Sequence, residues 1–384
     1  MNGCGASLQR SIDRLVAANG SFALYRLPWT EEPVMVWQTE GEPLPFASAC
    51  ELNGRRGFVL MPFHVTDAHP AVLIRPDEVA TGWEAIGRCM ERRRLLEDVS
   101  IAEKQDCEKL SCEVLAQEEC AYRRAFGDFI APLRQGVFRK LVLSRCTQQA
   151  LPDGFSPTAA FVRACDSYPR MLITLCHTPG TGTWVGCSPE IILSGNRVQW
   201  NTVALAGTMP IVGEKIPETW SDKNREEQAY VAAYIRRILQ RGATDVEECG
   251  PYTARAGGLV HLKTEFRFCL PDASRLGDLL DALHPTPAVC GLPKREAYDF
   301  ILGHEGYDRQ YYSGVIGWLD PEGDTHLYVN LRCMRIGAHA ATLYAGGGIL
   351  PTSVVEAEWE ETKEKLKTMR LALGDAGSRS HDIR

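Results

Sequence analysis

Short apolar runs separated by turn-forming residues dominate the first 85 positions of the chain. Four of these runs have the length and composition of strands, and segments rich in Gly, Pro and Asp separate them. The pattern therefore predicts strands over Ser21–Arg26, Val34–Gln38, Gly57–Met61 and Ala71–Ile74. No chemical motif accompanies them.

The pattern then changes to a helical period. Residues 88–112 are dense in charge and predict exposed helix or loop. The helix that follows should end at Gly136, and a second helix over 222–241 is capped by Ser221. The apolar stripe of the first helix comprises Tyr122, Phe126, Phe129, Ile130 and Leu133.

Strands return after each helix, and a third helix is expected over 274–283. In the strand predicted at 138–145, Lys140, Val142 and Ser144 share one face. A loop containing Pro210, Gly213 and Pro217 is a candidate cover for a site. Further strand-like apolar runs are found at 171–177, 184–186, 191–193, 197–200, 258–270, 311–318, 327–336 and 341–345.

Three consecutive glycines, Gly346, Gly347 and Gly348, follow the last of these runs. We expect a loop at this point, because glycine accepts positive φ and lets an anion approach the backbone amides closely. Ser353 and Glu356 have the spacing of a capping box, so a helix should begin there.

On that helix Glu358, Glu361 and Lys365 share a face. Paired carboxylates beside an anion cradle suit a divalent cation that is bound together with an acidic ligand. A solvated acidic face, with an ordinary ion pair between Glu361 and Lys365, is the alternative that this stretch leaves open.

Composition narrows the class of protein. The chain has 384 residues, 45% of them apolar, and a net charge of −7, which gives nucleic-acid binding no electrostatic support. No apolar run approaches the ~18 residues of a membrane span, and the N-terminus does not have the pattern of a secretory signal. We interpret the 14 cysteines as reduced residues of a cytoplasmic protein, because no C-x-x-C occurs and most lie in apolar runs.

Taken together, eight segments in order resemble the chorismate-utilising enzymes, which include anthranilate synthase component I. The resemblance implies an α/β (α+β) fold, a single large chorismate-binding unit with two stacked, mainly antiparallel sheets surrounded by helices. Residues 1–115 would form the N-terminal portion of this fold, 116–373 the catalytic region and 374–384 a flexible tail. The segments are 140–145, 186–190, 204–208, 221–228, 284–293, 311–318, 328–333 and 346–365.

The resemblance also implies a Mg²⁺ cofactor. Glu227 and Glu361 match the two metal-ligand carboxylates of the family, and Glu358 matches an acidic position that supports the metal through water. Magnesium prefers oxygen ligands and keeps several waters, so few protein ligands suffice. Asn224 and Gln228 depart from the family pattern, which has Asp or Glu and often His at these positions.

Substrate contacts are carried over in the same way. Arg332, Lys365 and the amides of Gly346, Gly347 and Gly348 match the groups that hold the carboxylates of chorismate. Gly207, Thr208 and Ala288 lie in matching segments and are expected at the substrate. For His261 and His284 a structural role and contact with substrate remain equally open.

The reaction depends on the group that attacks C2 of the ring. Relatives that form aminodeoxychorismate carry a nucleophilic lysine at the position of Ala206, and alanine cannot attack. A lysine at the position of Lys140 marks relatives that add water. Lys140 is then the general base, neutral through burial, and Glu190 is the general acid for the C4 hydroxyl. This implies reversible, magnesium-dependent conversion of chorismate to isochorismate, as in isochorismate synthases.

Two alternatives stand beside this reading. Salicylate synthases share Lys140 and Glu190 and also eliminate pyruvate, and Ala288 favours members that release isochorismate. A catalytically inactive chorismate-binding regulator is the other alternative. We expect a monomer without an amidotransferase subunit, because water is the nucleophile. Use of the product for menaquinone is favoured over siderophores, because the chain carries no fused carrier or lyase domain.

Overall fold

A computed structural model describes residues 5–92, 112–211 and 219–374, with side chains from residue 117 in the second range. Most of the charged run at 88–112, most of the loop after Pro210 and nearly all of the tail from residue 374 lie outside the described residues. The helices are α1 (Ala6–Ala17), α2 (Trp83–Arg92), α3 (Cys112–Arg134), α4 (Pro157–Ser167), α5 (Asp222–Gly242), α6 (Leu276–Leu283), α7 (Lys294–His304) and α8 (Val355–Leu373).

Eighteen described strands form two nine-stranded sheets, and the recorded strand pairs are antiparallel. In chain order the strands are β1 (Ser21–Arg26), β2 (Val34–Gln38), β3 (Leu44–Phe46), β4 (Gly57–Met61), β5 (Ala71–Ile74), β6 (Glu78–Thr81), β7 (Lys140–Ala150), β8 (Leu172–Thr178), β9 (Gly182–Ser188), β10 (Ile191–Gly195), β11 (Trp200–Pro210), β12 (Thr244–Ala256), β13 (Leu259–Cys269), β14 (Gly291–Leu292), β15 (Val315–Leu319), β16 (Thr325–Val329), β17 (Cys333–Ile336) and β18 (Ala340–Ile349).

The order in the first sheet is β14-β7-β18-β17-β9-β8-β1-β2-β6, and in the second β12-β13-β11-β10-β16-β15-β4-β5-β3. Buried side chains of both sheets, such as Tyr25 and Phe58, pack in one core between them. Helices α1, α4 and α8 contribute to a core on the first sheet, and α5 and α6 to a core on the second. The predicted fold, two stacked antiparallel sheets surrounded by helices, is confirmed.

The chain passes between the sheets at two adjacent crossovers. Strand β9 belongs to the first sheet and β10 to the second, with Pro189 and Glu190 between them. Strand β16 belongs to the second sheet and β17 to the first, with Arg332 between them at φ 46°. The crossovers are bonded to each other, since the Cys187 N–H donates to the Arg332 carbonyl at 3.0 Å and the Val329 N–H to the Glu190 carbonyl at 2.9 Å.

Several predictions from the pattern were wrong. The single strand predicted at 327–336 is two strands in different sheets, and Arg197 lies in the turn before β11. Helices α1, α4 and α7 and strand β12 were missed. Strand β12 is mostly exposed, so its sequence lacks the alternation of a half-buried strand. By contrast, β1, β2, β4 and β5 have the predicted bounds.

A buried ion pair fixes β7 against the segment before β14. Glu305 and Arg309 approach to 2.6 Å, and Arg309 donates to the carbonyls of Val142 and Val289. Glu305 also accepts from the backbone N–H and hydroxyl of Ser144. Because a buried charge needs partners, this network holds both backbone segments in one arrangement.

None of the helices in the described ranges is long and apolar enough to cross a membrane. Cys176, Cys187 and Cys333 lie in β8, β9 and β17 and are fully buried, and burial raises the pKa of the Cys176 thiol to about 12. Such thiols behave as small apolar side chains.

Candidate active site

The three consecutive glycines lie in strand β18 and not in a loop, which corrects the expectation from sequence. Gly346, Gly347 and Gly348 pair with β7, and positive φ is not recorded for them. Glycine is needed at these positions because a larger side chain would not fit. A Cβ on Gly348 would lie 2.1 Å from Glu227 Oε1, and one on Gly347 would lie 3.2 Å from Glu361 Oε1. The glycines therefore make room for carboxylates beside the strand.

Helix α8 begins without the predicted capping box. Its N-cap is Val354, and within the described residues no side chain caps it. The Ser353 hydroxyl instead accepts from the Leu350 N–H at 3.1 Å, which closes the turn after β18. The helix therefore starts within two residues of the predicted point, but without the predicted cap.

The acidic face of α8 packs against the glycines, which excludes the solvated alternative. Glu358 is 2% exposed and is paired with Lys223. Lys365 donates to Glu361 Oε1 at 2.6 Å and to the Gly346 carbonyl at 2.8 Å. Burial raises the pKa of Glu358, whereas for Glu361 the nearby ammonium groups of Lys365 and Lys223 outweigh burial and lower the pKa.

Lys140 is the first residue of β7 and is fully buried. Its Nζ lies 3.0 Å from Oε1 of Glu227, which projects from the second turn of α5. The Ser221 hydroxyl accepts from the Asn224 N–H and caps that helix, as predicted. The cap and the strand start together place an amine and a carboxylate side by side.

Glu190 occupies the first crossover and is 3% exposed. Its Oε1 has no hydrogen-bond partner among the described residues. Burial raises the pKa of Glu190 to about 8, against the opposing effects of Lys140 and Lys365. The side chain therefore carries a proton at neutral pH, which a general acid needs.

Arg332 occupies the second crossover and is also buried. Its Nη2 lies 3.3 Å from Nε2 of His261, whose Nδ1 lies 3.0 Å from the carbonyl oxygen of Gly207. Burial and the neighbouring Arg332 lower the pKa of His261 to about 3, so the imidazole is neutral. A neutral ring can donate at Nδ1 and accept at Nε2, and in this way His261 orients Arg332.

These groups surround one cavity between the sheets. Its free space is about 60 Å³, less than the roughly 300 Å³ of a small-ligand site, so side chains must move to admit a ring-sized ligand. Of the predicted site residues, Lys140, Glu358 and Glu361 lie behind its walls. The predicted residues that line it are Glu190, Gly207, Thr208, Glu227, Ala288, Arg332, Gly346, Gly347, Gly348 and Lys365.

The structure adds residues that the sequence did not single out. Tyr312 and Tyr344 line the cavity and stack with centroids 5.6 Å apart. The Tyr312 hydroxyl would lie 2.9 Å from a Cβ on Gly346. Tyr312 lies within one of the resembling segments, and that was the only available signal.

The two departures from the family pattern have structural contacts. Asn224 packs against Gly207, whose φ is +73° and whose added Cβ would lie 3.1 Å from Asn224 Cβ. Gln228 donates to the Thr264 hydroxyl at 2.7 Å and so links α5 to β13. Neither residue adds a charge to the cluster.

The carboxylates of Glu227 and Glu361 can be compared with the ligands that Mg²⁺ requires. The described residues hold no group of three or more His, Cys, Asp or Glu side chains arranged around one point. Magnesium needs only one or two carboxylates, with waters and a substrate oxygen completing its shell. Glu227 and Glu361 are hard oxygen donors that face adjacent glycines, where a side chain would collide with them. This donor set fits magnesium.

A cavity between two sheets that is lined by two carboxyl groups, the Lys365 ammonium and the Arg332 guanidinium defines an enzyme site for a small anionic ligand. The model of the chorismate binding enzyme family matches residues 71–374. The chain therefore belongs to the chorismate binding enzyme family.

Similar proteins agree with this assignment. The "Salicylate biosynthesis isochorismate synthase" of Pseudomonas aeruginosa is 34% identical over 270 residues, which cover 68% of this chain and 56% of that protein. "Isochorismate synthase DhbC" of Bacillus subtilis is 30% identical over 269 residues, covering 66% and 67%. The chain thus spans little more than half of the first relative. The structure of MenF, the menaquinone-specific isochorismate synthase from Escherichia coli, has a similar fold, with a TM-score of 0.74, 20% identity and coverage of 94% and 91%.

Proposed function

We propose that this chain catalyses the reversible conversion of chorismate to isochorismate. The observation that carries the proposal is a fully buried lysine, Lys140, behind the wall of the cavity that Glu190 lines, together with the pKa of Glu190, which is raised to about 8. Both curated relatives described above bear the name isochorismate synthase.

The chemistry requires one base and one acid. Once the side chains that separate it from the cavity have moved to admit the ligand, Lys140 in its neutral form takes a proton from water as the water oxygen forms a bond to C2 of the ring. Glu190 gives its proton to the C4 hydroxyl, which leaves as water while the ring double bonds shift. The proton count balances, and the reverse reaction exchanges the two roles.

The remaining residues position the substrate. Arg332, held by His261, and Lys365 provide positive charge for the two carboxylates of chorismate. Glu227 and Glu361 would hold Mg²⁺, with Glu358 supporting it, and the bound ion would neutralise the ring carboxylate and withdraw electron density from the ring. The side chain of Ala206 has no nucleophilic atom, so water is the group that attacks C2.

The experiment is to incubate the protein with chorismate and magnesium, with and without EDTA, and to separate the products by chromatography. A mixture of chorismate and isochorismate reached from either side, and abolished by EDTA, is the expected result. Absence of conversion with magnesium present would contradict the proposal.

Pyruvate distinguishes the second candidate function, salicylate formation. Salicylate formation is considered because it begins with the conversion of chorismate to isochorismate, a step that Lys140 and Glu190 suit. Ala288 lines the cavity and places no hydroxyl there, which favours release of isochorismate. Salicylate and pyruvate among the products would replace isochorismate synthesis with salicylate synthesis as the function.

We further propose that the chain acts as a monomer without an amidotransferase and that its product is used for menaquinone.

Glu361→Gln is expected to raise the magnesium concentration needed for half-maximal turnover at least tenfold, or ~1.4 kcal/mol. The amide keeps the shape of the side chain but removes the charge that attracts the ion. Calorimetric titration with magnesium measures the same loss without turnover.

The matched control is Glu360→Gln, because Glu360 is exposed and faces Lys363. It should leave the titration unchanged. An unchanged titration in Glu361→Gln itself would remove that residue from the ligands.

Gly348→Ala is expected to lower turnover at least tenfold. The added methyl group would lie 2.1 Å from Glu227 Oε1 and 3.0 Å from Lys140 Cε, so both side chains must move. Steady-state kinetics with chorismate measures the effect, and circular dichroism checks the fold. Gly303→Ala is the control, because a Cβ on this helical glycine meets no atom within 4 Å. Wild-type rates in Gly348→Ala would show that the glycine is not needed for space.

A further inference from the structure

A second cavity lies away from the candidate active site, between the segment that follows β4, the end of α6 and the start of α7. Its free space is about 510 Å³, far more than in the active-site cavity and within the range of small-molecule sites. The two cavities share no lining residue.

The cavity has both apolar and cationic walls. Met61, Phe63 and Val65 contribute apolar surface, and Lys294 and Arg295 contribute positive charge. One carboxylate, Asp281, also lines the cavity, and it lies 3.3 Å from the Ser48 hydroxyl. The formal charges of Lys294, Arg295 and Asp281 therefore sum to one positive charge.

The start of α7 adds to this positive end. Lys294 is the first residue of the helix, and Pro293 provides no side-chain hydrogen bond to cap it among the described residues. Lys294 itself donates to the last carbonyls of α6, including His284 at 2.7 Å, so its ammonium is held in place. Free N–H groups at a helix start favour a bound anion.

An independent observation points to a ligand. His284 lines the cavity and is 7% exposed, yet in the described part of the chain neither ring nitrogen has a hydrogen-bond partner. A buried polar group without a partner costs about 1–3 kcal/mol, and such groups in native proteins usually have one. A ligand with an acceptor or donor oxygen would supply it.

We propose that this cavity binds a small carboxylate with a flat apolar body. The apolar walls would contact the body, while the Arg295 guanidinium and the N–H groups at the start of α7 hold the carboxylate. The Lys294 ammonium, whose donors are used by the carbonyls of α6 and His284, would add nearby positive charge. The ligand would border the segment from His284 to Val289, whose far end lines the active-site cavity. The site would thus be an effector site, distinct from the chorismate pocket.

The probe is 4-fluorobenzoate, observed by fluorine NMR on the full chain without chorismate. The measurement needs no turnover, so it stands apart from the proposed reaction. Binding to the unsubstituted protein is expected, and Arg295→Glu should weaken it at least tenfold. Arg10→Glu is the matched control, an exposed charge reversal on α1. Val65→Trp, which fills the cavity, should also abolish binding.

Two further measurements show which cavity the probe occupies. Arg332→Met, in the candidate active site, should leave binding unchanged, and an equal concentration of inorganic phosphate should not displace the probe. Loss of binding in Arg332→Met but not in Arg295→Glu would place the probe in the chorismate pocket and overturn the proposal. The proposal would also be overturned if Arg295→Glu and Val65→Trp bind the probe as tightly as the unsubstituted protein does. Displacement of the probe by phosphate, or no binding at all, would overturn it too.

Discussion

Lys140→Ala is expected to abolish conversion of chorismate to isochorismate while chorismate binding stays within a few fold of that of the unsubstituted protein. Loss of a general base typically costs about 10²–10⁴-fold in rate. Lys140 lies behind Glu227 and not on the cavity wall, so its removal changes few contacts with a bound ligand. Initial rates and calorimetric titration with chorismate, measured on the same preparation, check both parts.

Truncation also leaves Glu227 without its buried partner, so folding must be measured separately. Lys140→Met keeps most of the side-chain volume and should be equally inactive. The control Lys367→Ala removes an exposed lysine of α8 and should retain full activity. Turnover within fivefold of wild type in Lys140→Met would mean that the base is another group.

Glu190→Gln is expected to lower the rate of isochorismate formation by about 10²–10⁴-fold, because an amide keeps the shape of the acid but cannot give up a proton as an acid. The exposed Glu322→Gln is the control with the same chemical substitution. Rates measured at pH 7, where the native carboxyl is protonated, check the loss.

The pH profile tests the same role from the raised pKa. Since Glu190 must be protonated to act as acid, kcat/KM for chorismate should fall as pH rises through about 8. For isochorismate as substrate the roles of Glu190 and Lys140 are exchanged. Because the overall reaction takes up and releases no proton, kcat/KM for isochorismate should fall over the same range. A kcat/KM for chorismate that does not change as pH rises through about 8 would contradict the assignment.

Much of the fold could be predicted from local pattern. The apolar runs of β1, β2, β4 and β5 are flanked by strong turn residues, so their bounds follow from sequence. The crossovers could not be predicted in this way. The run at 327–336 is mostly apolar, because β16 and β17 are largely buried in different sheets. It contains no glycine or proline to mark the break at Arg332, where φ is positive.

Only part of the candidate site could be predicted from the sequence. The spacing of Glu358, Glu361 and Lys365 placed them on one face, and the structure brings that face to β18. The Gly-Gly-Gly motif suggested a loop, because glycine permits unusual φ as well as close packing, and sequence cannot separate these two uses. The contacts of Tyr312 and the pairing of Lys140 with Glu227 depend on tertiary structure alone.

The glycines of β18 also limit how this pocket could evolve. A side chain at Gly348 meets Glu227 and Lys140, and one at Gly347 meets Glu361, so any single substitution there disturbs groups needed for every substrate. Ala206 and Ala288 line other walls, on β11 and before β14. New specificities in a descendant of this protein should therefore arise through replacements at these alanines, while the glycine strand remains unchanged.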